Sequence, residues 1–122
     1  MHAFIIEDDY LISQAVRDML TDLGFTSFSF ARSEDAAIAG AHGETFDLIT
    51  ADARLLPGDG IKAVEAICRR RSVPVIFVTG YPDDIKEALE TKLPGAAIVS
   101  KPIDHAEFAT MVRTLLEEHG AA

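Results

Sequence analysis

Five short apolar runs alternate with five stretches of helical period, and that alternation leaves few folds open. The runs are Ala3–Ile6, Thr26–Phe30, Phe46–Ala51, Pro74–Val78 and Ala96–Val99. Phe46–Ala51 and Pro74–Val78 are nearly continuous in apolar residues, the pattern of strands buried on both faces of a parallel sheet. In Thr26–Phe30, Ser27 and Ser29 alternate with Phe28 and Phe30, as expected nearer a sheet edge.

The intervening stretches carry helical spacing. Tyr10–Leu23 places Ile12, Val16, Met19, Leu20 and Leu23 on one face, and Gly24 suits its stop. Ser33 caps an alanine-rich helix to Ala41. Ile61–Arg71 faces inward with Ile61, Val64, Ile67 and Cys68, and its last turn holds Arg69, Arg70 and Arg71, where the helix dipole favours cations. Asp84–Thr91 has a thin apolar face of Ile85, Ala88 and Leu89. Asp104 and Glu107 resemble a capping box for a last helix with Phe108, Met111, Val112, Leu115 and Leu116 inside. The order predicts an α/β fold: a doubly wound five-stranded parallel sheet with right-handed crossovers. The 122 residues are read as one domain, 1–122, with no output domain.

In such sheets ligands bind outside the carboxyl ends of the strands. The first run leads into Glu7-Asp8-Asp9, the third ends at Asp52, the fourth at Thr79-Gly80 and the fifth at Lys101-Pro102. Two like charges ~4 Å apart repel by ~4 kcal/mol at an effective dielectric near 20. A cluster kept at that cost commonly holds a hard divalent cation. Magnesium suits it, because magnesium uses one or two direct carboxylates and keeps room for substrate phosphate. Asp52 could then act as a nucleophile while Thr79 and Lys101 hold phosphoryl oxygens. Asp9 is read as a helix N-cap rather than a ligand.

Composition supports this direction. Twenty acids against 11 Lys and Arg give a net charge of −9. That argues against a nucleic-acid or anionic-membrane surface, which would need a basic patch, and it suits a divalent cation or a basic partner. The one cysteine, Cys68, permits no internal disulfide and reads as a small core residue, so a reducing, cytoplasmic location is expected. No signal peptide and no membrane-length apolar stretch are read. His2, His42, His105 and His119 show no ligand spacing and are assigned no role.

The chain resembles the response-regulator receiver domain of two-component signalling. The motifs are Phe4-Ile5-Ile6-Glu7-Asp8-Asp9, Asp47-Leu48-Ile49 leading to Asp52, Leu56-Pro57-Gly58-Asp59-Gly60, Pro74-Val75-Ile76 leading to Thr79-Gly80, and Lys101-Pro102. The resemblance implies a flavodoxin-like (βα)5 fold and phosphate accepted on Asp52 from a histidine kinase or histidine phosphotransfer protein. It implies magnesium bound directly by Asp8, by Glu7 mostly through water, and by the backbone carbonyl of Arg54, with Asp52 at the same metal site; the Arg54 side chain is read as solvated. Thr79 becomes the switch hydroxyl and Lys101 the phosphate-binding cation before a cis Lys101–Pro102 bond. The helix from Tyr10 and the loop after Lys101 become the docking face.

One position departs from the family. Many receivers carry an aromatic switch residue three before the lysine, and here that residue is Ile98. Phe77-Val78-Thr79-Gly80-Tyr81 resembles a subgroup named for its Phe-Ala-Thr-Gly signature, often stand-alone proteins of alphaproteobacterial stress pathways. Tyr81 or the following loop is then expected to relay phosphorylation. The expected protein is a monomeric, stand-alone receiver that acts on a downstream protein and is no enzyme beyond its own phosphorylation and dephosphorylation. Competing readings are a phosphorylation-independent adaptor and an aspartyl phosphatase. The phosphatase wants a second Asp where Arg54 stands. A nucleotide or flavin protein lacks its glycine-rich motif.

Overall fold

In the computed structural model, residues 1–119 are described. The strands are β1 (His2–Ile6), β2 (Ser27–Ala31), β3 (Leu48–Ala51), β4 (Val75–Thr79) and β5 (Ala97–Ser100). The helices are α1 (Tyr10–Asp22), α2 (Glu34–Gly40), α3 (Gly60–Cys68), α4 (Pro82–Lys92) and α5 (His105–Glu118). All strand pairs are parallel, in the order β2-β1-β3-β4-β5. The α/β expectation holds, with the serine-alternating strand at an edge.

The period of two along each strand divides the core. Phe4, Ile6, Ile49, Ala51 and Phe77 join one buried cluster with Ala37 of α2, Val64 and Ile67 of α3 and Leu89 of α4. Ala3, Ile5, Leu48, Ile76 and Val78 join the other with Val16 and Leu20 of α1 and Phe108, Val112 and Leu115 of α5. Sequential strands leave β1 toward β2 on one side and toward β3 on the other. The order of the strands therefore reverses between β1 and β3, where open sheets form a crevice. Glu7 and Asp8 follow β1 and Asp52 follows β3, so the acids meet at that point.

Two helix ends differ from expectation. α3 stops at Cys68 with Arg69 as its C-cap, so Arg70 and Arg71 lie outside the helix. Arg71 instead donates to the carbonyls of Ala41 (3.1 Å) and Glu44 (2.7 Å) after α2. Its guanidinium lies over the Phe46 ring at 5.3 Å. Those contacts serve the carbonyls at another helix's end. α4 starts at Pro82, two residues earlier than Asp84, because a proline in the first turn gives up no needed N–H. Asp83 and Asp84 fill that turn, where the dipole favours acids.

Other local expectations hold. Asp9 accepts from Ile12 N at 3.2 Å and Ser33 from Ala36 N at 3.1 Å. Asp104 accepts from Glu107 N at 2.9 Å, which is half of the capping box. Cys68 is half-buried, and burial raises its thiol pKa against the pull of Arg71. His2, assigned no role from sequence, pairs Nδ1 with Ser27 Oγ (2.7 Å) and Nε2 with Ser29 Oγ (2.9 Å), tying β1 to the edge strand.

Candidate phosphoacceptor site

The site is built from strand ends. Carboxylate oxygens of Glu7, Asp8 and Asp52 all lie within 4.8 Å of one another. Lys101, just past β5, reaches across β4 to two of them. Its Nζ stands 2.9 Å from Asp52 Oδ2 and 3.0 Å from Glu7 Oε1. The Lys101 amide donates to the Thr79 carbonyl at 2.8 Å, so its backbone is fixed by the end of β4. The Lys101–Pro102 bond is cis, as the resemblance implies, and so is Leu56–Pro57.

The loop after Asp52 is equally constrained. Arg54 N donates to Asp52 Oδ1 at 3.1 Å and Leu56 N to Asp8 Oδ2 at 2.9 Å. Leu55 N donates to Gly58 O and Gly60 N to Ala53 O around the Arg54–Asp59 bridge, so those bonds leave the Arg54 carbonyl out. Gly60 is required here: a Cβ on it would lie 1.8 Å from the Asp52 carbonyl oxygen, which is backbone and has nowhere to go. Glu34 of α2 accepts from Asp59 N at 2.9 Å and braces the same turn.

One ammonium faces three carboxylates, and the charge does not balance. Glu7 is buried, and burial pushes its carboxyl up to about 7 even though Lys101 and the Asp9 amide pull it down. Burial also works against the Lys101 ammonium, but Asp52 and Glu7 outweigh it and its pKa is raised. Thr79 is buried at the end of the next strand, and its hydroxyl accepts from Tyr81 N at 3.0 Å. Its hydroxyl makes no hydrogen bond to the carboxylates among the described residues.

The Arg54 side chain is exposed, as the sequence reading has it, but that reading missed its partners. Its Nη2 bonds Asp84 Oδ2 at 3.0 Å and the guanidinium lies 4.2 Å from the Tyr81 ring centroid. Arg32, also unremarked in the sequence, donates to the Asp8 carbonyl at 3.1 Å. No periodicity signals either contact, since both side chains leave loops.

The sequence matches the family model of the response regulator receiver domain over residues 3–113. The chain belongs to this family. The receiver is 30% identical over 116 residues to the transcriptional activator protein IrlR of Burkholderia pseudomallei, covering 95% of this chain and 50% of that one. It is 30% identical over 115 residues to the phyllosphere-induced regulator PhyR of Methylorubrum extorquens, covering 92% and 42%. The solution structure of the Erythrobacter litoralis PhyR receiver domain superposes with a TM-score of 0.85 at 31% identity, covering 95% of this chain and 89% of that one. The chain spans about half the length of the curated relatives it matches. Among the described residues, no helix is long and apolar enough to cross a membrane.

Proposed function

We propose that this receiver accepts a phosphoryl group on Asp52 from a phosphohistidine of a sensor kinase or phosphotransfer protein, and passes the signal on by protein–protein contact. The observation that carries this is the Lys101 ammonium held between Asp52 and Glu7 at the point where strand order reverses. Asp52 keeps one carboxylate oxygen on Lys101 and the other on the Arg54 amide, which aims the carboxylate without covering it on every side. Attack by a carboxylate oxygen on phosphorus forms an acyl phosphate as the donor's P–N bond breaks and the imidazole leaves. Lys101 is placed to hold a phosphoryl oxygen, and Thr79, one strand away, to take another.

The donor set fits magnesium. Three hard carboxylate oxygens converge, and Lys101 alone leaves negative charge uncompensated. Asp8, Asp52 and the Arg54 carbonyl would hold the ion, with Glu7 acting mainly through water. When bound, it would neutralise charge on the transferring phosphoryl oxygens.

The PhyR of Bartonella quintana is an anti-anti-sigma factor, which supports a protein as the downstream partner here. Placement in the Phe-Ala-Thr-Gly subgroup, and in the stress signalling that resemblance implies, rests on Phe77–Tyr81 as the signature. The expected setting is the cytoplasm, with the receiver acting as a monomer. Incubation with magnesium and acetyl phosphate, followed by intact mass, tests the acceptor role. One phosphate should add to the unmodified protein and none to Asp52→Asn. No adduct together with no magnesium binding would leave the phosphorylation-independent adaptor.

A further inference from the structure

The Arg54 side chain forms a clasp between two loops. Its backbone belongs to the turn after β3 and is tied to Asp52 through the 3.1 Å amide bond. Its guanidinium is on the other side of the mouth, bonded to Asp84 in the first turn of α4 and seated over Tyr81 at that helix's N-cap. Tyr81 has no side-chain capping bond, and its own amide is held by Thr79 Oγ1. So α4 begins on a residue pinned from one side by Thr79 and from the other by Arg54. Ile98 lies on neighbouring β5 and offers no hydroxyl or ring to carry a hydrogen-bonded signal along that edge.

The geometry points to Arg54 as a positioning residue that couples the state of Asp52 to the start of α4. This rests on Asp52 being the phosphoryl acceptor. An acyl phosphate carries about −1.5 to −2 charges where the carboxylate carried −1, and presents three strong acceptor oxygens two residues from Arg54. Guanidinium binds such oxygens in pairs, better than it binds one exposed carboxylate. The ion pair is 61% and 59% exposed, so it holds weakly. An exposed ion pair with a cation–π contact biases an equilibrium by about three- to tenfold, enough to set a resting position and little enough to be overcome. Loading Asp52 draws the guanidinium off Asp84 and Tyr81, and the first turn of α4 is released.

NMR spectra of the unmodified protein, Asp84→Asn, Tyr81→Leu and Asp84→Glu, with and without beryllofluoride plus magnesium, test this. The amides of Ala53 and Lys101 report loading. The Arg54 Nε–H and the amides of residues 83–86 report the clasp. In the unmodified protein both sets should shift. In Asp84→Asn and Tyr81→Leu the clasp amides should sit near their loaded positions beforehand, and move about threefold less on loading. Asp84→Glu keeps the carboxylate and should restore most of the response, which a purely structural role would not require. Loading without movement of Arg54 Nε–H, or with equal movement in all four proteins, overturns the clasp and leaves the acceptor reading standing. Unmoved Ala53 and Lys101 amides in the unmodified protein overturn the acceptor reading, and the clasp with it.

Discussion

Lys101 binds Asp52 and Glu7, and Arg54, two residues after Asp52, binds Asp84, yet the two cations are held in opposite ways. Lys101 is 20% exposed and lies between side chains that are 4% and 13% exposed. Arg54 is 61% exposed and pairs with one carboxylate that is 59% exposed. Charges taken out of water attract strongly but cost desolvation, so losing one partner is severe. Charges in water attract weakly and exchange partners cheaply. The inner pair is therefore suited to hold a fixed geometry, and the outer one to change.

The largest effect should come from breaking the inner pair. Lys101→Met leaves Glu7 and Asp52 facing each other without a cation, and should lose about 3–5 kcal/mol of stability at pH 8 without magnesium, read by urea unfolding. A loss below about 1 kcal/mol would place Lys101 with the exposed pairs.

Next is the pH dependence of Glu7. Its carboxyl titrates near 7 in the folded protein against 4.5 ordinarily. The folded state thus holds the proton more tightly across that window. This contribution to stability is fully present below pH 4.5 and is lost as pH rises to about 7. The loss should be about 3 kcal/mol, and Glu7→Gln should abolish it. A Gln variant that keeps the slope would move the titration to another group. Magnesium should bind more tightly at pH 8 than at pH 6 in the unmodified protein, because the ion favours the ionised carboxylate.

The smallest effect belongs to the outer pair. Arg54→Ala should change stability by less than about 1 kcal/mol, and high salt should erase most of that difference. A loss comparable with that of Lys101→Met would make the clasp a structural bridge rather than a switch.

The same contrast separates what was legible in the sequence from what was not. Strand ends are legible because an apolar run must stop somewhere and the next polar residue marks the rim. Glu7, Asp8, Asp52 and Lys101 were found that way, and the structure brings them together. The helix faces were legible from period, as Phe108, Val112 and Leu115 show in α5. Where a helix ends against its neighbours was less so. Arg69 to Arg71 look like a C-terminal turn until Arg71 finds the carbonyls of Ala41 and Glu44, a contact some thirty residues back along the chain. His2 needed the β1–β2 register before its serine partners could be seen. The Arg54 side chain obeys no period, because its direction is set by Tyr81 and Asp84 across a loop.

The most direct measurement of the central claim is the position of the phosphoryl group itself. After treatment with acetyl phosphate and magnesium, borohydride reduces an aspartyl phosphate to homoserine, and tandem mass spectrometry of the peptide locates it. The account predicts homoserine at position 52 and at no other acid. Homoserine at Asp8, or 5-hydroxynorvaline at Glu7, with Asp52 intact, or no conversion in protein that has gained phosphate, would contradict it.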